Sequence, residues 1–309
     1  MPAPVNLISR HQKTPGHATV LLPPGLGDIH WVLLKLQGFL NAHGFNGADV
    51  WIWDVGGPRR SAEFVKRVPF VRFIDYLVVP DRRAVSAFCT QLNPVMANTW
   101  GFDFVIALNG YLEAGLPLEP AMDNAAIHWD YPILTTPAEC EFARSHTARG
   151  PWILLYFSGL AQVFKRWTDL VTPKRVADLI DELQYAWPDR RVIFVGLPWD
   201  HGFAEQVSGV AAENLVGQTS FDEYVALLRG ADGMIGFANG NTILTTHFGV
   251  PTVMVWNQDR YTYANFRLNW VAPQSLYAPV EIDNFDPESL VSKLRSLMNR
   301  RVTHHDAAP

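Results

Sequence analysis

Cysteines, zinc-type ligand spacings and long apolar runs are all scarce in this sequence. The 309 residues include two cysteines, Cys89 and Cys140, which provide no disulfide framework and suit a reducing compartment. Cys and His do not occur at the spacing of a zinc site, and neither a Gly-x-Ser-x-Gly elbow nor a Walker loop is present. No run approaches the length of a membrane span, and residues 1–17 lack the uninterrupted apolar core of a signal peptide. We therefore expect a cytoplasmic protein with no metal site and no transmembrane segment.

Charge is also sparse. Charged residues make up 18% of the chain, and the net charge is -5 with a pI of about 6.0. This charge balance disfavours non-specific binding of nucleic acid over the whole protein surface. A hydrophobic content of 48% is typical of a soluble globular protein, and the length suits two domains of about 150 residues each.

Strand-like and helix-like segments alternate along the chain. Before residue 116 we predict strands at 18–22, 49–53, 76–79 and 102–108, and helices at 29–42, 61–68 and 83–92. The segment 116–149 is less periodic and contains several prolines, so we place the domain linker within it. After it we predict strands at 152–157, 191–196, 233–237 and 252–256, and helices beginning near residues 172, 220, 242 and 287. Two such series indicate two doubly wound halves that face each other across a cleft.

The stretch 214–256 carries the strongest local signals. Ser220 and Glu223 form a capping box, and Gly230 stands where that helix should end. A loop of small residues follows the strand 233–237 and opens the next helix, where backbone N–H groups can hold an anion. This loop supplies four candidate donor contacts: Asn239, Gly240, Asn241 and Thr242. An earlier helix has Thr172 as its cap and Pro173 in its first turn, and its predicted buried face is Val176, Leu179, Ile180 and Leu183.

A Gly-Leu-Gly-Asp turn follows the first strand. Its carboxylate, Asp28, lies in the first turn of a helix, where the helix dipole alone could account for an acid. A dinucleotide fingerprint would place a third glycine where His30 stands and an acid about 20 residues on, a role open to Asp54. His30 would crowd the helix–strand contact that this glycine permits, so nicotinamide binding is a disfavoured interpretation of this turn.

Two further turns follow strands of the second half. Ser158 and Gly159 offer hydroxyl and amide donors, and Lys165 with Arg166 could neutralise phosphate, although such a pair is also common on a solvated face. After the strand 191–196, Gly196 and Asp200 form a turn in which the carboxylate could accept hydrogen bonds from ribose hydroxyls. Trp199 could stack on a base or belong to the core.

A basic run in the first half is the last candidate. Seven cations lie within it against three acids, which indicates an anionic acceptor or an exposed charged face with no partner. Arg59 and Arg60 are the members that we predict to contact the acceptor. The cations are Arg59, Arg60, Lys66, Arg67, Arg72, Arg82 and Arg83.

These motifs, taken in order, resemble the heptosyltransferase family, whose enzymes add heptose to the lipopolysaccharide core. The resemblance covers most of residues 18–256. It rests on the Gly-Asp pair after the first strand, Lys-Arg-Trp at 165–167, the strand and turn at 191–200, and the segments 214–236 and 240–253.

The resemblance implies a GT-B fold of two Rossmann-like domains. The N-terminal domain, 1–135, would hold the acceptor, and the C-terminal domain, 136–309, would hold the nucleotide-sugar. The last helix, 287–299, could pack back on the N-terminal domain. It implies that Asp28 is the base, that Lys165 contacts the donor phosphates and that Asp200 meets the ribose. The donor contacts implied or inferred are Ser158, Gly159, Lys165, Arg166, Gly196, Asp200, Thr219, Asn239, Gly240, Asn241 and Thr242. His30, Arg59 and Arg60 are the acceptor candidates.

The chain departs from the family at the loop after the strand 233–237. The family has Asp-Ser/Thr-Gly followed by a histidine, and this chain has Ala238-Asn239-Gly240 and Ile243. We therefore expect a glycosyltransferase that uses no metal or cofactor and acts on an anionic acceptor such as a bacterial surface saccharide. The donor sugar could be one other than heptose. Three rival functions stay open: a transferase acting on a modified base in phage-type DNA, a non-catalytic sugar-nucleotide-binding protein and an NAD-dependent oxidoreductase.

Overall fold

A computed structural model describes most of both halves of the chain. The described residues are 14–22, 24–54, 60–78, 104–105, 126–157, 170–207, 212–256, 271–272 and 275–305, and the side chains of Asp28 and Trp199 lie outside them. The predicted helix at 83–92 also lies outside them. The chain divides into two compact units, Met1–Leu134 and Thr135–Pro309. No helix in the described part of the chain combines the length and hydropathy needed to cross a membrane.

The first unit contains a parallel sheet in the order β3-β2-β1-β4. Its elements are β1 (His17–Leu22), α1 (Leu26–His43), β2 (Gly47–Asp54), α2 (Arg60–Val65), β3 (Val71–Val78) and β4 (Phe104–Val105). The strand predicted at 76–79 begins at Val71 in the structure, because β3 lies at an end of the described sheet and alternates exposed polar residues with half-buried apolar ones. Gly44 ends α1 in the left-handed conformation, with φ of 71°.

The second unit contains six parallel strands in the order β10-β9-β8-β5-β6-β7. Its strands are β5 (Trp152–Tyr156), β6 (Arg191–Phe194), β7 (Glu213–Asn214), β8 (Gly233–Phe237), β9 (Thr252–Trp256) and β10 (Tyr277–Glu281). Its helices are α3 (Pro137–Thr147), α4 (Pro173–Ala186), α5 (His201–Val207), α6 (Phe221–Gly230), α7 (Gly240–His247) and α8 (Pro287–His305). Renumbered within the unit, the order is 6-5-4-1-2-3, which is that of a dinucleotide-binding Rossmann fold. The two doubly wound halves predicted from the sequence are therefore confirmed.

Local signals in the second unit are confirmed residue by residue. The Thr172 hydroxyl accepts a hydrogen bond from the Arg175 amide, and the four predicted apolar residues of α4 are buried in the core. Ser220 and Glu223 form the predicted capping box at the start of α6. The last helix, α8, extends to His305, and its buried side chains Leu290, Leu294 and Leu297 belong to the core of this unit.

The helix α3 occupies a segment that we expected to be irregular linker. Its two most buried residues are polar, Glu139 and His146, so the apolar periodicity that predicts a helix is missing. Glu139 accepts a hydrogen bond from Arg229 at 2.8 Å, and α3 packs along α6. Burial, reinforced by the charge of Arg191, lowers the pKa of His146 below its usual value.

Candidate functional site

The sheet of the second unit brings the carboxyl ends of three strands, after each of which a donor loop is predicted, to one edge. β8, β5 and β6 are neighbours in the sheet and run parallel, so their carboxyl ends lie at the same edge. The strand order reverses between β5 and β8. In open α/β sheets, ligands bind outside the carboxyl ends of the strands at this reversal.

The loop after β8 is held by hydrogen bonds within itself. The Asn239 side-chain oxygen accepts from the amides of Asn241, at 2.8 Å, and Thr242, at 3.4 Å. In return the Asn239 amide donates to the Thr242 hydroxyl at 3.1 Å. That hydroxyl is fully buried, and it lies 3.0 Å from the carbonyl oxygen of Phe237, the last residue of β8. Asn239 is therefore the N-cap of α7, which begins at Gly240 and so before the predicted start at Thr242.

This cap changes what the loop can offer an anion. The sequence predicts that the amides of Gly240, Asn241 and Thr242 all bind diphosphate. In the structure, the Asn241 and Thr242 amides already donate to Asn239. A diphosphate could accept from these two amides only if the Asn239 side chain turned away.

The turn after β6 holds its acid inside the protein. Asp200 is 3% exposed, and its carboxylate accepts a hydrogen bond from the Leu197 amide at 2.7 Å. The buried Gly196 accepts from the amide of Gly217 at 3.0 Å, which joins this turn to the one after β7. A side chain at Gly217 would contact the ring of His201, and its φ of 67° favours glycine. The described contact gives Asp200 a role in shaping the turn, and its predicted contact with ribose stays a prediction.

Thr219 and Gly236 also lie near this edge. Thr219 is buried and directly precedes the Ser220 cap of α6. Gly236 was not among the predicted site residues. It pairs with Tyr156 across the reversal point, and a Cβ at Gly236 would lie 2.6 Å from the Tyr156 carbonyl oxygen. A glycine inside a strand is the sequence signal that could have identified this close approach.

Several predicted site residues lie outside the described part of the chain. They are Arg59, Ser158, Gly159, Lys165 and Arg166.

In the first unit, α1 carries Asp28 in its first turn, and Gly25 is the N-cap. His30, predicted to contact the acceptor, is 1% exposed, and its Nδ1 lies 2.7 Å from the hydroxyl oxygen of Tyr131. The described contact of His30 lies inside the first unit, and its predicted contact with the acceptor stays a prediction. Tyr131 was not singled out, because it lies in a segment without periodicity.

Most described members of the basic run are already engaged within the protein. Arg72 donates to Asp49, Lys66 donates to Glu63, and Arg67 is buried with a guanidinium contact to the Leu134 carbonyl. Arg60 is half-buried at the first position of α2. Among the described members of the run, fewer cations are therefore available to bind an anion than the sequence indicates.

The described residues contain no candidate metal site. No group of three or more His, Cys, Asp and Glu side chains in that part of the chain could hold a metal ion.

No protein-family model matches the sequence, and no curated protein matches it. The fold is that of the GT-B glycosyltransferases, with two Rossmann-like units. This confirms the resemblance that the ordered motifs indicate, at the level of the fold.

Many solved structures match, and three of them illustrate a likeness along almost the whole chain. The first is ADP-heptose lipopolysaccharide heptosyltransferase II of E. coli, with a TM-score of 0.63, 14% identity and coverage of 93% of this chain and 99% of that chain. The second is a family 9 glycosyl transferase from Veillonella parvula DSM 2008, with a TM-score of 0.62, 12% identity and coverage of 94% and 99%. The third is the E. coli heptosyltransferase WaaC with ADP, with a TM-score of 0.51, 15% identity and coverage of 92% and 99%.

Proposed function

We propose that the protein is a glycosyltransferase that moves a sugar from a nucleoside-diphosphate-sugar to a hydroxyl group of an anionic acceptor. One observation carries the proposal. The carboxyl ends of β5, β6 and β8 lie at one edge of a sheet whose strand order reverses between β5 and β8. The fold shared with heptosyltransferases over more than nine-tenths of the chain supports it. An acceptor such as the lipopolysaccharide core is the first candidate.

The reaction requires a base and groups that stabilise the leaving diphosphate. The acceptor oxygen attacks the anomeric carbon, and the bond from that carbon to the diphosphate oxygen breaks. The proton of the acceptor hydroxyl passes to the Asp28 carboxylate, and the nucleoside diphosphate leaves with the bonding electrons. Because the start of a helix stabilises the ionised carboxylate, Asp28 becomes an effective base only where water is excluded.

Lys165 and Arg166 supply positive charge to the diphosphate in this proposal, with the donors of Ser158 and Gly159 beside them. No step is assigned to a metal, so turnover should be unchanged by EDTA. Lys165→Ala should weaken nucleoside diphosphate binding by about ten-fold or more. Isothermal titration calorimetry measures this affinity, and Lys174→Ala, an exposed lysine paired with Asp178, is the matched control. An unchanged affinity in Lys165→Ala would remove Lys165 from the donor site.

Adenosine diphosphate is the first nucleotide to test, because two of the solved structures carry ADP or ADP-heptose in their names. A thermal-shift screen with ADP-, GDP-, UDP- and CMP-sugars should identify the donor as the compound that raises the melting temperature most. NAD(H) belongs in the same screen. Stabilisation by NAD(H) and not by any nucleoside diphosphate would contradict the proposal in favour of an oxidoreductase.

A non-catalytic sugar-nucleotide-binding protein is the second candidate. The observation that favours it is the loop after β8, where Ala238 and the buried Ile243 replace the acid and imidazole of the family. Release of nucleoside diphosphate from the donor found in the screen, with and without a saccharide acceptor, separates the two candidates. Binding without release under all conditions would support the second one.

A further inference from the structure

Residues 126–134, which we call the strap, run along α1 before the second unit begins. The His128 amide donates to the Leu34 carbonyl at 2.7 Å. A Cβ at Gly38 would overlap the carbonyl oxygen of Ala126, so the strap and the helix approach each other as closely as a glycine permits. The strap is thus seated on the same helix that carries Asp28.

Tyr131 is the deepest residue of the strap. It is 1% exposed, and its hydroxyl oxygen lies 2.7 Å from Nδ1 of His30, with the two ring centroids 5.4 Å apart. Burial raises the pKa of the Tyr131 phenol well above its usual value, so the phenol stays protonated and neutral while it shares a hydrogen bond with Nδ1. A buried, satisfied hydrogen bond of this kind fixes both partners in one geometry.

The first turn of α1 depends on such contacts, because its N-cap has no side chain. Gly25 occupies the cap position and has no side chain to cap the helix, and the Ile29 amide donates to the Gly25 carbonyl there. The Ser61 hydroxyl donates to the Pro24 carbonyl at 2.5 Å, just before the helix. Tyr131, acting on His30, is the corresponding support inside the helix, two residues beyond Asp28.

The strap continues directly into elements anchored in the second unit. Leu134 donates its amide to the Arg67 carbonyl at 2.8 Å within the first unit. Thr136 caps α3 and donates its hydroxyl to Asp222 at 3.0 Å within the second.

We propose that Tyr131 is a positioning residue for sugar transfer, which fixes the first turn of α1, and with it Asp28, through the hydrogen bond to His30. The catalytic part of this inference rests on the proposed function.

Tyr131→Phe removes only the hydroxyl group, and Tyr185→Phe is the matched control because Tyr185 is 88% exposed. Hydrogen exchange of the amides of residues 26–34 and release of nucleoside diphosphate from the donor found in the screen are measured together. Tyr131→Phe should speed exchange in the first turns of α1 and lower kcat by about ten-fold, with the donor KM and nucleotide affinity within about two-fold of wild type. Tyr185→Phe should change none of these.

A second pair of variants tests the same hydrogen bond from the other side. His30→Asn keeps a hydrogen-bonding amide near the position of Nδ1 and should retain more of kcat than His30→Ala, at comparable donor KM. Unaltered exchange in Tyr131→Phe, or a lower melting temperature with unaltered kcat, would overturn the inference. Full turnover in Asp28→Ala would instead overturn the proposed base, together with the catalytic part of the inference.

Discussion

The two units hold their helices in different ways. In the second unit, the N-caps of α4, α6 and α7 are Thr172, Ser220 and Asn239. Each side chain accepts a hydrogen bond from a backbone amide no more than three residues further along the chain. In the first unit, α1 has a glycine at its cap, and His30 is held by Tyr131, 101 residues away. The comparison teaches that the starts of these three helices are fixed by local contacts, whereas His30, near Asp28, is held by a residue distant in sequence.

The strands of the first unit show the same long-range dependence. Asp49 of β2 is 1% exposed and accepts hydrogen bonds from Thr14, His17 of β1 and Arg72 of β3. Burial by itself raises the pKa of Asp49, but the bonds from Arg72, Thr14 and His17 outweigh it and hold the pKa well below its usual value. One carboxylate therefore joins three strands.

The largest loss of stability is expected at this carboxylate. Asp49→Asn should lower the free energy of unfolding of the first unit by about 3 kcal/mol, because the donors of Thr14, His17 and Arg72 lose a buried, charged acceptor. Chemical denaturation followed by tryptophan fluorescence measures this, and Asp75→Asn on the exposed side of β3 is the matched control. Equal stability of the two variants would contradict the role of Asp49.

The same group predicts the acid response. Because the pKa of Asp49 is lower in the folded than in the unfolded state, its contribution is complete above the unfolded pKa of about 4 and disappears as the pH falls below that value. Wild type should therefore lose stability faster than Asp49→Asn between about pH 4 and pH 2. Parallel pH profiles would show that this carboxylate does not titrate as the structure indicates.

A smaller loss is expected where the strap meets α1. Gly38→Ala should cost about 1–3 kcal/mol of stability, because the new Cβ would overlap backbone of the strap. Gly202→Ala in α5, where a Cβ would have no neighbour within 4 Å, should be neutral or stabilising by about 0.5 kcal/mol. Similar effects in the two variants would argue against a close contact between the strap and α1.

The smallest effect is expected at the local cap of α7. Asn239→Ala should cost about 1 kcal/mol of stability, and Asn239→Ser should restore most of it. Since the substitution frees the Asn241 and Thr242 amides from the Asn239 side chain, the affinity for nucleoside diphosphate, measured by calorimetry, should not fall. A large fall in affinity would instead support the direct donor contact predicted for Asn239.

The difference between the units also explains what the sequence could predict. The capping box at Ser220, the cap at Thr172 and the strand at 233–237 were predictable because each signal lies within a few residues. The helix α3 was not, because the residues that it buries are Glu139 and His146. The burial of His30 depends on Tyr131, a distant residue in a segment without periodicity, so no local pattern could have indicated it. The residue type of Asn239 is compatible with an N-cap, but the same run of small residues is also typical of an anion-binding loop.

The most direct test of sugar transfer compares turnover with binding in Asp28→Ala. The donor identified by thermal shift is incubated with a saccharide acceptor, nucleoside diphosphate release is followed, and nucleotide affinity is measured by calorimetry on the same preparation. The account predicts a loss of turnover of about a hundred-fold or more with nucleotide affinity within about two-fold of wild type. Turnover equal to that of wild type would contradict it.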